Sequence, residues 1–303
     1  MNRVIIDTDI GSDIDDAMAI SLALRAPEIR LEGITTVYGD SDLRARIVRK
    51  VLQLGRREDV KVYAGIDQPL LHNRDVWMAG HEGQDLLVEG EKLEYESKHA
   101  VDFIIETVMN NPGEITLIPI GPLTNIAASL IREPAVAKNV KEIVMMGGVT
   151  RLGGNGIDMR TVEHNIVCDP EAASLVFRSG APIVMAGLDV TLQVEITDEE
   201  RKRLVESGDP LNAALAAMMQ RWFDFVDEKK TFMHDPLTVS ILIDRSLVKT
   251  RKMKIQVEYD HRPKTGQTIA TLAEDANVEV CLEVDRKRMI DLLMSRLLGG
   301  GKA

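Results

Sequence analysis

Five carboxylates lie within ten residues near the start of the chain. They are Asp7, Asp9, Asp13, Asp15 and Asp16, and they follow a short apolar run at residues 4–6. Crowded carboxylates raise one another's pKa and repel, unless a cation or buried hydrogen-bond donors hold them together. Because Ca²⁺ and Mg²⁺ prefer oxygen ligands, the cluster predicts a divalent-cation site. The alternative is that some of these acids, Asp13 above all, only cap the helix that follows.

A second polar cluster lies far along the chain, at His234, Asp235 and Pro236. Proline is favoured at the first position of a helix, so this order predicts Asp235 as the N-cap and His234 just outside the helix. By itself the cluster indicates no more than a helix cap.

Alternating strands and helices predict a scaffold that would place the acidic cluster at one edge of a sheet. Residues 4–6, 31–37 and 60–64 are predicted strands, separated by helices at 13–26 and 43–54. This order is typical of a parallel sheet, in which ligands bind beyond the carboxyl ends of the strands. Asp40 follows the second strand and is expected to face the same crevice.

Two long irregular stretches interrupt this alternation. Residues 65–95, which include Trp77 and His81, are predicted to be a lid or ligand-covering loop, since so long a connection is usually functional or disordered. Residues 147–165 are predicted to be a second, glycine-rich loop.

The other predicted strands are 115–118, 141–146 and 181–186. The other predicted helices are 97–109, one starting at Gly121-Pro122, one starting at Asp169-Pro170 and one starting at Thr197. A further predicted helix has a buried face formed by Leu211, Leu215, Met218, Trp222 and Phe225.

The C-terminal part differs in pattern. Residues 253–259, 268–272 and 278–284 alternate as antiparallel strands do, and residues 286–298 have the pattern of a final helix. We therefore expect one α/β domain over residues 1–303. It would be a single open, mostly parallel Rossmann-like sheet flanked by helices, with a small C-terminal antiparallel extension over about residues 250–303.

Composition narrows the function. Of 303 residues, 28% are charged and 45% hydrophobic, which is ordinary for a soluble globular protein. No apolar run approaches the roughly 20 residues needed to cross a bilayer, and the chain does not begin like a signal peptide, so we expect a cytoplasmic protein. The formal charge of −11 argues against a nucleic-acid-binding surface. Cys168 and Cys281 lack metal-like spacing and are predicted to be reduced thiols.

A series of short motifs extends along nearly the whole chain. They are Asp-Thr-Asp-Ile-Gly-Ser-Asp-Ile-Asp-Asp-Ala at 7–17, Gly-Ile-Thr-Thr-Val-Tyr-Gly at 33–39, Ile-Pro-Ile-Gly-Pro-Leu-Thr-Asn-Ile-Ala at 118–127, Met-Gly-Gly at 146–148, Glu-His-Asn at 163–165, Asp-Pro-Glu-Ala-Ala at 169–173 and His-Asp-Pro at 234–236. In this order the chain resembles the inosine-uridine-preferring nucleoside hydrolases. The resemblance implies an enzyme that hydrolyses the N-glycosidic bond of ribonucleosides, holds one Ca²⁺ per subunit and forms a homo-oligomer, either a dimer or a tetramer.

The resemblance also implies roles for individual residues. Asp9, Asp16 and Asp235 match the carboxylate ligands of the metal, and Ile120 matches the position that contributes its backbone carbonyl. Asp9 would also accept a proton from the attacking water, and His234 would protonate a purine leaving group. Hydrolysis would pass through an oxocarbenium-like state stabilised by nearby carboxylates.

The expected substrate contacts surround the sugar and the base. They are Asp15, Asp40, His81, Met146, Asn155, Glu163 and Asn165. Three features depart from the family pattern. Ser12-Asp13-Ile14 replaces a single residue of the shorter signature, Asp40 replaces a common asparagine, and Asn155 lies unusually far from Glu163.

Two other classes of protein remain as alternatives. Haloacid-dehalogenase-like Mg²⁺ phosphohydrolases also have Asp-x-Asp after a first strand, but here residues 10–13 replace the Gly-Thr that would follow. A non-catalytic nucleoside- or ribose-binding protein is the second alternative. Such a protein would tolerate loss of Asp9, whereas a hydrolase would not.

Overall fold

A computed structural model describes residues 1–153, 156–157, 159–260 and 265–299. Within these residues the strands are β1 (Asn2–Thr8), β2 (Ile29–Thr36), β3 (Val62–Tyr63), β4 (Ile115–Pro119), β5 (Glu142–Met146), β6 (Ile183–Ala186), β7 (Glu195–Thr197), β8 (Lys230–Phe232), β9 (Val248–Val257), β10 (Thr268–Leu272) and β11 (Val278–Val284). The helices are α1 (Asp15–Leu24), α2 (Ser41–Leu54), α3 (Ala100–Asn110), α4 (Thr124–Arg132), α5 (Val136–Asn139), α6 (His164–Cys168), α7 (Pro170–Arg178), α8 (Leu188–Thr191), α9 (Asp198–Glu206), α10 (Pro210–Val226), α11 (His234–Ile243) and α12 (Arg286–Gly299), with a 3₁₀ turn at Arg245–Leu247.

The main sheet has nine strands in the order β10-β9-β11-β6-β5-β4-β1-β2-β3. Strands β1 to β6 pair in parallel, as does β11 with β6, whereas β9 runs antiparallel to both β10 and β11. The predicted fold class is therefore confirmed, and the antiparallel extension continues the same sheet. Asp7 is level with Thr35 of β2 and Pro119 of β4, so the three central strands end side by side.

Both faces of the sheet are covered, which explains the continuous apolar run in β1. Val4 and Ile6 are buried in a cluster that includes α1 and α11, whereas Ile5 is buried on the other face, with residues of α3, α4 and α7. A parallel strand covered on both faces requires such a run. Fully burying each side chain contributes about 1.5–3 kcal/mol, so β1 is firmly held at the centre of the sheet.

Two predicted helix starts are wrong. Helix α11 begins at His234 with Met233 as its N-cap, so Asp235 is not the N-cap and His234 is not outside the helix. The carbonyl of Met233 accepts the first helical bond, from Leu237 at 3.3 Å, while Pro236 lacks an N–H that would have no intrahelical partner in the first turn. Helix α4 begins at Thr124, so Pro122 precedes its N-cap rather than lying near its first position.

The buried face of α10 also differs from the expectation. Leu211 and Leu215 are buried as predicted, but Met219 and Phe223 continue the buried row in place of Met218 and Trp222. Phe225 is 50% exposed. It contacts Trp222 and His81 instead, because the long loop between β3 and α3 packs against this end of the helix.

Several short elements were not predicted, because three to five residues are too few to show a period. Helix α6 is one of them, and it ends the second loop at His164. Asn155 lies outside the described residues. Cys168 and Cys281 are both free, as predicted, and both are buried. Among the described residues, no helix is long and apolar enough to cross a membrane.

Candidate active site

The acidic cluster lies where β1 ends and α1 begins. Asp13, Asp15 and Asp16 each offer a carboxylate oxygen, and these oxygens lie within 4.8 Å of one another, so the group could hold a metal ion. Asp15 and Asp16 are buried. Burial and then the charges of Asp9 and Asp13 raise the pKa of Asp16 well above its usual value, and burial, Asp13 and Asp235 do the same for Asp15. Like charges held this close are unfavourable unless a cation, hydrogen-bond donors or protonation of one acid relieves the repulsion.

Helix α11 brings Asp235 to the same place. Its backbone amide donates to Asp15 Oδ2 at 3.3 Å, so the N-termini of α1 and α11 meet at the cluster. Burial, followed by the charges of Asp16, Asp13 and Asp9, raises the pKa of the Asp235 carboxyl well above its usual value. Asp235 thus lies close enough to the acids near the start of the chain, Asp13 included, for their charges to interact.

A buried arginine fixes the backbone around Asp9. The guanidinium of Arg44 donates to the carbonyl oxygens of Asp9, Ile10 at 2.8 Å and Tyr38 at 2.6 Å. Burial raises the pKa of Asp9, and the Arg44 charge opposes this. Gly121 is required beside this carboxylate, since a Cβ there would lie 2.7 Å from Asp9 Oδ1. Arg44 therefore orients the turn through its carbonyls without a hydrogen bond to the carboxylate of Asp9. Neither Asp9 nor Asp235 belongs to the group of three acids whose oxygens lie within 4.8 Å of one another.

Ile120 directly follows β4 and lies beside the end of β1. Its amide donates to the carbonyl of Asp7 at 2.8 Å, and its oxygen accepts from Asn165 Nδ2 at 3.0 Å. A carbonyl oxygen has two lone pairs, so this bond leaves one for a cation. The atoms available as metal ligands are carboxylate and carbonyl oxygens, and these fit a hard cation such as Ca²⁺ or Mg²⁺.

Glu163 and Asn165 lie at the end of the glycine-rich loop. Glu163 is the N-cap of α6, and its carboxylate accepts from the amides of Gly148 at 2.9 Å, Asn165 at 2.8 Å and Ile166 at 3.1 Å. Burial raises the pKa of Glu163, while these hydrogen bonds lower it. Met146 is 4% exposed at the end of β5, and its Sδ lies 3.4 Å from Asn165 Nδ2. These three expected sugar contacts are thus adjacent.

His234 is held by a threonine that sequence reasoning missed. Its Nδ1 lies 2.7 Å from Thr191 Oγ1, in the short helix α8. Burial lowers the pKa of His234 to about 4, while the charge of Asp13 opposes the shift. The imidazole is therefore neutral at pH 7. The same helix carries Asp189, whose carboxylate accepts from Thr150 and from the amides of Leu152 and Gly153 at 2.7–3.0 Å. Nothing in the sequence around residue 191 indicated the contact between Thr191 and His234.

His81 and Trp77, both in the predicted ligand-covering loop, contact different parts of the molecule. His81 Nε2 lies 2.7 Å from the carbonyl of Ser12, and its ring meets Phe225 edge-on at 5.1 Å. Trp77 is 44% exposed and instead meets the ring of His164 at 5.6 Å. His164 was not among the expected site residues, although it stands between Glu163 and Asn165 in the sequence.

The fold is that of the nucleoside hydrolase class, as comparison with known proteins shows. The chain is 35% identical to the pyrimidine-specific ribonucleoside hydrolase RihB of Escherichia coli (strain SE11), over 93% of each chain. Among solved structures it resembles a purine-preferring ribonucleoside hydrolase from Gardnerella vaginalis (TM-score 0.87, 31% identity, 99% of each chain). It also resembles the plant nucleoside hydrolase PpNRh1 (TM-score 0.85, 31% identity), over 98% of this chain and 99% of that one.

The model of the inosine-uridine preferring nucleoside hydrolase family matches residues 4–291, and the chain belongs to this family. It is accordingly a hydrolase of N-glycosyl compounds that cleaves the N-glycosidic bond of ribonucleosides. The family is metal-dependent, in agreement with the acidic group at the carboxyl end of β1.

Proposed function

We propose that the protein hydrolyses ribonucleosides to free base and ribose with one Ca²⁺ bound by Asp9, Asp16, Asp235 and the carbonyl of Ile120. The observation that carries this proposal is the gathering of buried acids whose charges raise one another's pKa. When bound, the cation would offset these charges, orient the ribose hydroxyls and make the attacking water more acidic.

The side chains of the site then divide the remaining work. Asp9 accepts the proton of the attacking water. Its backbone is fixed by Arg44, and its charge raises the pKa of Asp16, which supports a place beside the metal ligands. Asp15, Glu163 and Asn165 hold the sugar hydroxyls, with Met146 beneath the ring. Fixing the sugar in this way converts binding energy into orientation at the reacting carbon. The charge of the oxocarbenium-like transition state is stabilised by the surrounding carboxylates.

The leaving base needs a proton donor, and we assign this role to His234. The ring is neutral at pH 7 and its Nδ1 is held by Thr191. In this state it would donate a hydrogen bond to the leaving base, and to protonate the base it would first take up a proton from solvent. His81 lies in the loop between β3 and α3 and is placed to position the base. The two ribonucleoside hydrolases named above differ in base preference, so base preference requires measurement here.

Removal of the metal is expected to abolish activity. After chelation with EGTA or EDTA and desalting, release of ribose from a panel containing inosine, adenosine, uridine and cytidine should fall to background, and Ca²⁺ should restore it. Elemental analysis of the untreated protein should find about one Ca²⁺ per chain. If chelated protein free of metal keeps full activity, the proposed role of the cation is wrong.

Asp40→Asn is expected to preserve or improve activity. Asp40 is exposed, and one of its oxygens accepts from the Leu43 amide at 2.8 Å as the N-cap of α2. Asparagine caps helices equally well, so stability should not change. An ionised carboxylate cannot donate to a ribose hydroxyl, whereas the amide can. Steady-state kinetics would test this, and a loss of several hundredfold would show that the negative charge itself is needed.

Neither alternative class is favoured by the comparisons. Free ribose released from a nucleoside would exclude a purely binding role, and inactivity toward phosphate esters would exclude a phosphohydrolase. We further propose that residues 1–303 form one domain, that the protein acts in the cytoplasm, and that it forms a dimer or tetramer. The continuity of the nine-stranded sheet from β1 to β11 supports the first of these proposals.

A further inference from the structure

The loop between β3 and α3 is fastened to the acidic turn by Glu82. One oxygen of this carboxylate accepts from Ser12 Oγ at 2.7 Å and from the amide of Ala79 at 2.7 Å, and the other accepts from the amide of Gly80 at 2.9 Å. Glu82 therefore joins three donors, one from the turn and two from its own loop.

The neighbouring residue, His81, is hydrogen-bonded to the same serine. Its Nε2 lies 2.7 Å from the carbonyl oxygen of Ser12. Because a carbonyl oxygen can only accept, Nε2 must carry the hydrogen, and Nδ1 is then the ring nitrogen left to face a ligand. Ser12 is thus held through its hydroxyl by Glu82 and through its carbonyl by His81.

The turn is shaped for this close approach. Gly11 has φ of +125°, and a Cβ there would lie 2.8 Å from Ile47 Cδ1 and 3.2 Å from Glu82 Cγ. Ser12 belongs to the Ser12-Asp13-Ile14 segment that replaces a single residue in the shorter form of the signature. The longer turn therefore supplies the hydroxyl that Glu82 binds.

Glu82 is better placed to hold the loop than Asp85, another acidic residue of the same loop. Asp85 forms an ion pair with Arg221, but its side chain is 71% exposed, and exposed pairs contribute little. Glu82 is half-buried. Burial disfavours its ionisation, but hydrogen bonds from Ser12 and the backbone amides outweigh this and hold its pKa below the usual value.

We infer that Glu82 is a positioning residue that, through Ser12, sets the place and tautomer of His81 beside the leaving base. This inference rests on the proposed function, in which His81 positions the base. Glu82 itself does not touch the substrate. Its loss is expected to act on substrate binding more than on turnover.

Kinetics of Glu82→Ala, Glu82→Gln, His81→Ala and the double variant test the inference. Glu82→Ala should raise KM by about tenfold and lower kcat much less, since small displacements of positioning groups cost up to about 10²-fold. Glu82→Gln should lie between wild type and Glu82→Ala, because its amide oxygen can still accept from Ser12. In the His81→Ala background, Glu82→Ala should add less than about twofold. Fully additive effects would overturn the inference.

A matched control comes from the same loop. Glu91 also forms an ion pair, with Lys50 at 2.6 Å, but it does not contact the turn at Gly11 and Ser12. Glu91→Gln should therefore leave KM unchanged. If it raises KM as much as Glu82→Ala does, loosening the loop in general, rather than Glu82, would be responsible.

A second measurement does not depend on activity. The ¹⁵N resonances of the His81 ring, assigned by their loss in His81→Ala, should show the Nε2–H tautomer in the wild type and a tautomer mixture in Glu82→Ala. If Glu82→Ala does not fold, Glu82→Gln should show a smaller shift in the same direction. An unchanged His81 spectrum in the folded variant would overturn the inference. If no nucleoside is hydrolysed, the proposed function fails, and these spectra still decide the role of Glu82.

Discussion

Asp9→Asn is expected to lose nearly all turnover, by about 10²- to 10⁴-fold, the usual contribution of general base catalysis. The amide keeps an oxygen that can face a cation, but it cannot accept the proton of the attacking water. Arg44 binds the backbone carbonyl of residue 9 rather than its side chain, so the turn should keep its shape. Nucleoside binding, measured by calorimetry, should therefore be retained.

Asp13→Asn is the matched control. Asp13 lies in the same cluster, with a carboxylate oxygen within 4.8 Å of those of Asp15 and Asp16, yet it has no assigned role in proton transfer. Its substitution should lower turnover far less than Asp9→Asn does. Equal losses at the two positions would mean that Asp9 acts only through the charge of the cluster. A loss below about tenfold in Asp9→Asn would also count against its role as the base.

The second large effect is expected for His234→Ala. Turnover of inosine should fall by about 10²-fold or more, because a purine needs a proton as it leaves. Uridine turnover should fall less, since a pyrimidine depends less on this donor. Parallel measurements of kcat for the two nucleosides, at saturating Ca²⁺, test the difference.

Thr191→Val tests whether turnover depends on the orientation of His234 and not only on the presence of its side chain. The substitution removes the hydroxyl 2.7 Å from Nδ1 and keeps a similar volume. It should reduce inosine turnover in the same direction as His234→Ala but by a smaller factor. If His234→Ala lowers turnover of both nucleosides equally and added Ca²⁺ restores part of the loss, His234 only orients Asp235 and is not a catalytic residue.

Local sequence predicted that acids would gather after β1, because they follow one strand and open the next helix. The capping role considered for Asp13 is wrong, since Ile14 is the N-cap of α1 and Asp13 lies in the group with Asp15 and Asp16. The parallel order of β1, β2 and β4 then placed them at the carboxyl edge. Sequence reasoning failed where a contact joins distant segments. The bond between His234 and Thr191 spans 43 residues, and that between Arg44 and the Asp9 carbonyl spans 35. Neither contact produces a periodic pattern.

Helix α10 shows a different reason for failure. Its apolar residues are dense enough to support two buried rows, and tertiary packing selects the one that continues through Met219 and Phe223. Phe225 lies outside this row and contacts His81 in the loop between β3 and α3. The correct row depends on a neighbour that propensity cannot identify.

The central position of β1 has a consequence for synthesis of the chain. Strand β1 pairs with both β2 and β4, and Asp235 joins the acids that follow β1 only after more than two hundred further residues have been made. Long-range pairing of this kind slows folding, because loop-closure entropy is lost before the contacts form. The complete set of acids can therefore come together only after Asp235 has been made, late in synthesis of the chain.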